Sequence, residues 1–266
     1  MFEICFDKPS LVVYNPSVVF RLNTAGGFFM RKKRLSFYLA AAMFLCIGWA
    51  VPVKAEEASR DLFAMDTYMS VSAYGNGEAA NAAADAAVSE INRLDALFSV
   101  GIETSDIAVL NSQKQAAVSA ETACLLERSQ EIHDLTDGAF DISIFPLMEA
   151  WGFTSGNYRV PGQDELNALL PAVDMSKIRL DADAGKAELT AEDVRIDLGA
   201  IAKGYTSARL MEIFREHGIT SAKVSLGGNV QVLGRKPDGS LWRIGIESAS
   251  GSDLAGVLET ACIDSR

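Results

Sequence analysis

Histidine and cysteine are scarce in this chain of 266 residues, which contains two histidines and four cysteines. Cys5 and Cys46 lie in or before an N-terminal apolar stretch, which leaves Cys124 and Cys262 in the body of the protein. Neither belongs to a C-x-x-C pair or a Cys/His cluster, so zinc binding and thioredoxin-like chemistry are unsupported. Export would permit a disulfide between them, but Cys124 falls on the apolar side of a predicted helix and is more simply interpreted as a buried thiol.

Positive charge is also in short supply. The chain has 24 basic and 35 acidic residues, and residues 1–55 account for seven and two of these, which leaves 17 basic and 33 acidic residues and a net charge of −16 on residues 56–266. Such a body repels nucleic acid and anionic membrane surfaces. A multiply charged anionic ligand therefore requires a metal ion or a local cradle of backbone amides.

The longest apolar stretch runs from Leu35 to Val51, after the basic segment M-R-K-K-R that begins at Met30. Small residues at Val53 and Ala55 complete the pattern of a secretory signal peptide over residues 30–55, with Glu56 as the first mature residue. We expect residues 1–29 to be an upstream extension from a start codon assigned too early, and an exported, periplasmic or cell-envelope location. Two alternatives would give membrane association: an uncleaved anchor, and a lipid on Cys46, although Leu45 is not the small residue that lipidation requires.

Apolar periodicity in the body predicts strands that are both clustered and interspersed with helices, with no internal repeat or long linker. Strands are expected at Leu62–Tyr74, around turns within Ile178–Arg195, at Lys223–Gly234 and at Leu241–Glu247; helices are expected at Glu78–Phe98, Ser105–Asn111, Glu121–Thr136, from Asn167 to Leu170, and at Ala200–His217. Arg159 to Asn167 is turn-rich, and K-P-D-G-S is a turn. These elements predict an α/β or α+β fold with a mixed or antiparallel sheet and packed helices.

The segment V-R-I-D-L-G-A-I-A-K-G-Y from Val194 is the most informative one, because it places a carboxylate at the end of a strand, before a glycine turn and a helix start. Amides at a helix N-terminus favour phosphate, and the carboxylate reads donor groups of a ligand or helps to hold a metal. Taken alone, the segment is explained more simply by Asp197 as an N-cap, Gly199 as a turn residue and Lys203 as a solvated helix residue.

The segment from Val194 is the last of four separated segments that together form a recognisable pattern. They are A-M-D-T-Y-M from Ala64, L-D-A-L-F-S from Leu94 with S-D-I-A-V-L-N from Ser105, T-D-G-A-F-D-I-S-I-F-P-L from Thr136 with W-G-F at Trp151, and R-I-D-L-G-A-I-A-K-G-Y from Arg195 with S-L-G-G-N-V at Ser225. In this order, they resemble the ApbE family of FAD:protein FMN transferases over roughly residues 60–260. The resemblance implies an α/β fold that binds FAD and Mg²⁺, cleaves the FAD pyrophosphate and transfers FMN to a Thr or Ser hydroxyl of an acceptor flavoprotein, releasing AMP. Some members of the family hydrolyse FAD instead.

The resemblance also implies site residues. Met65 forms a wall of the FAD pocket, Ala139, Phe140 and Asp141 form a turn that contacts FAD, and Gly138 brings backbone close to the ligand. Asp197 accepts hydrogen bonds from the cofactor, Lys203 contacts FAD, and the backbone carbonyl of Ala200 binds Mg²⁺. Gly227 and Gly228 either let the chain pass close to the site or form a simple bulge.

Two departures from the family pattern stand out. Gly101 replaces a frequent aromatic residue after L-F-S, and A-C-I-D-S-R ends the sequence where the family continues with its candidate base and further metal ligands. We therefore expect an ApbE-like domain at 56–266 with its C-terminal part missing, impaired transfer and a catalytic base outside this sequence. The alternative function is an exported protein that binds or scavenges FAD without transferring it.

Overall fold

A computed structural model of the chain describes residues 55–245 and the backbone of a strand at 260–263. The predictions for the extension at 1–29, Cys46 and the apolar stretch lie outside the described residues, as does nearly all of the signal peptide predicted at 30–55. Within the described part, no helix is long and apolar enough to cross a membrane.

The described chain contains both grouped strands and strands separated by helices. The strands are β1 (Glu56–Ala64), β2 (Thr67–Gly75), β3 (Gln115–Ala117), β4 (Ile178–Asp181), β5 (Lys186–Leu189), β6 (Ser221–Leu226), β7 (Asn229–Leu233), β8 (Trp242–Gly245) and β9 (Thr260–Ile263); the helices are α1 (Gly77–Phe98), α2 (Asp106–Gln113), α3 (Ala120–Leu135), α4 (Phe145–Ala150), α5 (Gln163–Leu169) and α6 (Gly199–Glu216). Short 3-10 turns cover Leu170–Ala172 and Met175–Lys177.

A four-stranded antiparallel sheet in the order β1-β2-β6-β7 forms one layer. The alternation in β2 turns Met69, Val71 and Ala73 to one face, where they are fully buried against α1 and α6. The alanines of α1 leave room for close approach, while Phe214 of α6 is fully buried in the same core. This layer of helix on sheet confirms the predicted fold class.

A second core lies around the far end of α1. Leu94 and Phe98 of that helix pack with α2, α3 and the small antiparallel sheet of order β3-β5-β4. The segment from Val194 to Leu198, which precedes α6, contributes three fully buried side chains to this core. The strand pair predicted within Ile178–Arg195 is therefore confirmed as β4 and β5, and the residues after β5 enter the core without joining a named strand.

Helix ends follow their local signals closely. Ser105 caps α2 by accepting a hydrogen bond from the Ala108 N–H at 3.0 Å, as predicted. Gly218, with φ of 71°, follows His217 at the end of α6 and confirms the predicted terminator. One boundary was predicted wrongly: α5 begins at Gln163, inside the turn-rich segment, because Asp164 and Glu165 lie in its first turn and favour the helix N-terminus.

Two predicted single strands are hairpins, and these predictions were wrong. The strand predicted over Leu62–Tyr74 is divided between β1 and β2 by a two-residue turn, and the strand predicted over Lys223–Gly234 is divided between β6 and β7 by Gly227 and Gly228. All four turn residues have positive φ, the conformation of a type I′ turn, whose twist matches that of the flanking strands. Gly227 and Gly228 thus form a tight turn instead of a bulge.

The last described strands form a separate ladder. β8 pairs antiparallel with β9, and Trp242 lies against the ring of Tyr74 with 5.9 Å between centroids. The strand predicted at Leu241–Glu247 is confirmed over Trp242–Gly245, and its last two residues lie outside the described part. Cys124 is a half-buried cysteine that forms no disulfide among the described residues, whereas the side chain of Cys262 in β9 lies outside the description.

Candidate functional site

The turn between β1 and β2 is hydrogen-bonded to a side chain of α1. The backbone N–H of Met65 donates to the Asp95 carboxylate at 3.1 Å, and the Met65 sulfur lies 4.0 Å from the Thr206 hydroxyl of α6. Met65 is half-buried and packs against both hydrophobic cores. The structure therefore places the predicted wall residue at the junction of the two cores, in a turn whose backbone is fixed by a carboxylate.

The turn Ala139–Asp141 is fixed through its backbone. The Thr136 hydroxyl accepts from the Phe140 N–H at 3.0 Å, and the His133 Nδ1 lies 2.8 Å from the Phe140 carbonyl oxygen. Ala139 is exposed and Phe140 is half-buried, while Gly138 has φ of 83°. The chain thus presents a short, exposed piece of backbone here, and His133 is part of its support.

The Asp141 carboxylate is occupied by donors from the protein itself. One oxygen accepts from the Ser143 N–H at 2.8 Å and from the Ser143 hydroxyl at 2.5 Å, and the other accepts from the Met175 N–H at 3.1 Å. The Ser143 hydroxyl in turn accepts from the Asp174 N–H at 2.7 Å. Asp141 therefore ties its turn to the segment before β4, and any contact with FAD comes in addition to this role.

Asp197 stands at the end of an extended segment and immediately before α6. Its N–H donates to the Ile142 carbonyl at 2.9 Å, and one carboxylate oxygen accepts from the Gly199 N–H at 2.7 Å. The side chain is half-buried. Burial raises the pKa of Asp197, and the nearby charge of Asp66 adds to that rise, whereas the Gly199 N–H and the Lys203 charge oppose it.

The first turn of α6 carries the other two predicted residues. Leu198, and not Asp197, occupies the N-cap position of α6, and it makes no side-chain hydrogen bond there. The Asp197 carboxylate instead accepts from the N–H of Gly199, the first residue of the helix. Ala200 is exposed, and Lys203 is half-buried with its ammonium 3.0 Å from the Gly199 carbonyl oxygen. Asp197 and Lys203 therefore set opposite charges beside a helix N-terminus.

These pieces converge although they are distant in sequence. The Asp197–Ile142 hydrogen bond brings the segment after Ala139–Asp141 against the start of α6, and Asp66 is close enough to influence the Asp197 carboxyl electrostatically. On the other side, the Gly227 N–H donates to the Tyr68 carbonyl at 3.1 Å, which sets the turn of β6 and β7 beside the turn of β1 and β2. A Cβ at Gly227 would lie 2.5 Å from the Thr67 hydroxyl oxygen, so this close approach requires glycine.

Asp66 is a candidate site residue that sequence reasoning missed. It is exposed, has φ of 55°, and has no hydrogen-bond or ion-pair partner among residues 55–245 beyond its electrostatic effect on Asp197. A signal was present, because Asp tolerates the left-handed region better than most residues and is common in hairpin turns. The apolar alternation on both sides of Asp66 concealed it.

The described residues do not by themselves complete a metal site. Within residues 55–245, no three side chains of His, Cys, Asp or Glu are grouped to hold an ion. Asp197 and Asp66 offer the oxygen chemistry that Mg²⁺ prefers, but near-octahedral coordination needs more ligands than these two carboxylates and one carbonyl. The metal role predicted for the Ala200 carbonyl and the cofactor roles of the other residues remain predictions.

A sequence model described as the ApbE family matches residues 65–264. Among curated relatives, the FAD:protein FMN transferase of Vibrio cholerae is 27% identical over 168 residues, which is 62% of this chain and 50% of that protein. The FAD:protein FMN transferase of Treponema pallidum is 28% identical over 193 residues, 69% of this chain and 53% of that protein. The chain spans about half the length of the curated relatives it matches.

Solved structures give the same picture. The ApbE protein from Thermotoga maritima superposes with a TM-score of 0.68 at 29% identity and covers 74% of this chain and 65% of its own. The flavin transferase ApbE from Vibrio cholerae superposes with a TM-score of 0.65 at 24% identity, covering 73% and 64%, and supports the fold alone. With a family match over more than half of its residues, and with this fold, the chain belongs to the ApbE family.

Proposed function

We propose that this chain acts as a FAD:protein FMN transferase, moving FMN from FAD to a Thr or Ser hydroxyl of an acceptor flavoprotein. The observation that supports the proposal best is the convergence of three segments at one place. The turn at Met65, the segment after Ala139–Asp141 and the start of α6 meet through the Asp197–Ile142 hydrogen bond and the contact between Met65 and Thr206. The curated relatives named above carry the same activity in their names.

The arrangement suits a dinucleotide with a pyrophosphate. First-turn amides of the 18-residue helix α6 favour a phosphate, and the Lys203 ammonium lies at the same turn. The second oxygen of the Asp197 carboxylate is available to accept a hydrogen bond from a ligand donor, since the Gly199 N–H occupies the first. Met65 supplies an adaptable apolar contact for a flat ring.

The proposed reaction is a phosphoryl-type transfer. The acceptor hydroxyl oxygen forms a bond to the phosphorus of the FMN half, the bond from that phosphorus to the bridging oxygen breaks, AMP leaves with that oxygen, and the hydroxyl proton is released. Catalysis of such a step relies on positioning and charge stabilisation. The chain's own contribution is to hold the pyrophosphate beside the first turn of α6 and Lys203, and to orient FAD through a hydrogen bond from one of its donor groups to Asp197.

Mg²⁺ dependence and export belong to the proposal as well. Residues 56–266 carry a net charge of −16, so a pyrophosphate needs a counterion to approach this body closely, and Mg²⁺ supplies charge neutralisation when bound. The pattern from Met30 to Ala55 supports an exported, periplasmic or cell-envelope protein, with the anchor and the lipid on Cys46 as the alternatives for membrane association. N-terminal sequencing of the exported product would start at Glu56 for the cleaved form.

The experiment combines the full chain, FAD, Mg²⁺ and an acceptor flavoprotein with a Thr or Ser flavinylation site. We expect in-gel flavin fluorescence on the acceptor and release of AMP in equal amount, both weaker than with the Vibrio cholerae relative, in line with the impaired transfer expected from the sequence. FMN in place of FAD is the matched control, because FMN has no pyrophosphate to break and should give no labelling.

The same assay separates the alternatives. FAD binding without labelling or AMP would replace the proposal by a FAD-binding or scavenging protein. AMP release without labelling would indicate FAD hydrolysis. Absence of both binding and labelling would overturn the proposed site altogether.

A further inference from the structure

The side chain of Asn111 forms a double hydrogen bond with the backbone of one distant residue. Its amide nitrogen donates to the Ile196 carbonyl at 2.8 Å, and its amide oxygen accepts from the Ile196 N–H at 2.8 Å. The two residues are 85 positions apart in the sequence. Ile196 is the immediate neighbour of Asp197, so this contact acts directly on the chain that carries the candidate site carboxylate.

The segment that receives this contact has few other backbone partners. Val194 to Leu198 belongs to no named strand, and its β-type pairing among the described residues is a single bridge between Ile144 and Arg195. Buried backbone groups outside a sheet still need partners. The Asn111 side-chain amide supplies a partner for both the N–H and the carbonyl of Ile196, which in a sheet would pair with neighbouring strands. The Ile142 carbonyl accepts from the Asp197 N–H.

Asn111 is itself held firmly. It lies in α2, where Ile107 and Leu110 are fully buried in the second core and Ser105 caps the first turn. Just past the helix, the Lys114 ammonium donates to the Val194 carbonyl at 2.9 Å. The end of α2 and the residue that follows it thus bind the same segment at two points, and the bonds of Asn111 are made to Ile196, next to Asp197.

We infer that Asn111 is a positioning residue of the proposed FAD site, which fixes the chain at Ile196 and thereby the placement of the Asp197 carboxylate. The inference rests on the proposed function for its ligand, but its structural part can be tested without FAD. Asn111 does not need to touch the ligand, because it acts through the backbone of Ile196. Lys114 contacts the segment two residues further from Asp197 and serves as a comparison.

The first experiment measures amide hydrogen exchange by NMR on the full chain without ligand. Asn111→Ala is expected to lower protection of the Asp197 N–H by about tenfold, the equivalent of one or two neutral hydrogen bonds, while the Val71 N–H in the central strand β2 stays unchanged. Ser112→Ala, at an exposed neighbouring position in α2, should change neither. An equal loss at Asp197 and Val71 would show a purely global effect and overturn the inference, as would no loss at Asp197.

The second experiment measures FAD affinity by calorimetry in a double-mutant cycle. Asn111→Ala should weaken binding by about tenfold in the wild-type background and by less than about twofold in the Asp197→Ala background, because it acts through that carboxylate. Lys114→Met should weaken binding less than Asn111→Ala does. Additive effects in the cycle would overturn the inference.

Two outcomes are kept apart by this design. If the wild-type chain fails to bind FAD, the proposed function is wrong, whereas the exchange measurement still decides whether Asn111 positions the Asp197 segment. If Asn111→Ala does not fold, Asn111→Asp replaces it, because the introduced carboxylate keeps the acceptor for the Ile196 N–H and sets a negative oxygen against the Ile196 carbonyl. The same differential loss of protection is expected for that variant, and a uniform one would contradict the inference.

Discussion

The backbone N–H of Asp197 donates to the carbonyl oxygen of Ile142 at 2.9 Å, which joins two segments that the sequence separates by more than fifty residues. One segment follows the exposed turn at Ala139, and the other leads into α6. Because the bond runs between backbones, it does not depend on the identity of either side chain. The position of the Asp197 backbone therefore does not depend on the Asp197 side chain, whose chemistry can be varied separately.

Asp197→Asn is expected to make the protein more stable and its FAD binding weaker. Burial raises the pKa of Asp197, so the folded chain holds the proton more tightly than the unfolded chain does. The stability that this group contributes is present at low pH and is lost as the pH rises through the raised pKa. At pH 7 the neutral amide avoids that cost and keeps an oxygen for the Gly199 N–H.

Thermal unfolding from pH 4 to pH 8 and FAD titration test this pair of effects. The variant should gain in melting temperature over wild type at pH 7, and the gain should shrink towards pH 4. FAD affinity should fall by about tenfold through loss of a charge-assisted hydrogen bond. A variant less stable than wild type at pH 7 would contradict the account of the buried carboxylate.

Gly227→Ala should destabilise the protein more than Gly228→Ala. Both positions have positive φ, of 58° and 89°, which costs an L-residue about 1–2 kcal/mol. The new Cβ at Gly227 would also meet Thr67 at 2.5 Å, whereas a Cβ at Gly228 meets nothing within 4 Å. Urea unfolding should therefore give a larger loss of unfolding free energy for Gly227→Ala.

Comparing Gly227→Ala with Gly228→Ala in a Thr67→Ala background isolates the effect of the contact between a Cβ at Gly227 and Thr67. In a Thr67→Ala background, the two closest atoms that oppose a Cβ at Gly227 are gone, so the extra cost over Gly228→Ala should become small. An extra cost that persists at full size in that background would mean that the backbone conformation, rather than the approach of Thr67, requires glycine at this position.

Local signals predicted four of the helices, but they missed α4, misplaced the start of α5 and failed at the hairpins, for identifiable reasons. Ser105 and Gly218 mark helix ends through their own side-chain chemistry or lack of it, so their roles are readable from neighbouring residues. Met65 has no preference for positive φ, and its apolar neighbours on both sides continue the alternation of a strand. The turn there is imposed by pairing of β1 with β2 and by the Asp95 carboxylate, which no local pattern shows.

In the candidate site, too, some features could be predicted from the sequence and others depended on the fold. The resemblance located the segments around Asp141 and Asp197, but the contact of Asn111 with Ile196 links positions whose proximity depends on the packing of α2. The internal hydrogen bonds of Asp141 were likewise hidden, because its partner Met175 lies in a short 3-10 turn beyond α5. Residue types were informative about chemistry, whereas the partners of each residue required the fold.

Asp141→Asn is expected to lower the free energy of unfolding by about 1–3 kcal/mol, because the amide can accept on one side only and its NH₂ group would then face a backbone or hydroxyl donor. The carboxylate it replaces accepts from Ser143 and from the Met175 N–H. Asp238→Asn is a matched control, since the Asp238 carboxylate makes the same local pair of bonds, to the Ser240 N–H and hydroxyl, in an exposed turn. Chemical denaturation should show a change within about 0.5 kcal/mol for the control. Equal losses for both variants would mean that the bond to Met175 adds nothing.

Mg²⁺ and FAD are expected to bind together, each strengthening the other. Within residues 55–245 no three acidic, His or Cys side chains are grouped for a metal, and Mg²⁺ is often held by one or two carboxylates together with substrate phosphates. The FAD pyrophosphate would complete such a set beside Asp197. Calorimetric titration of FAD should therefore show an affinity about tenfold higher with Mg²⁺ than with EDTA, and titration of Mg²⁺ should show the same factor when FAD is present, as linkage requires.

Riboflavin is the control ligand for this coupling, because it has the isoalloxazine ring but no phosphate, and its binding should not respond to Mg²⁺. Tight binding of Mg²⁺ alone, at about micromolar concentration, would contradict the prediction, since two carboxylates, one in a hairpin turn and one before a helix, cannot replace most of the ion's hydration shell. It would instead indicate that protein side chains form a complete metal site before FAD arrives. Repulsion of the pyrophosphate by the net charge of −16 on residues 56–266 would then not be needed to explain a requirement for the ion.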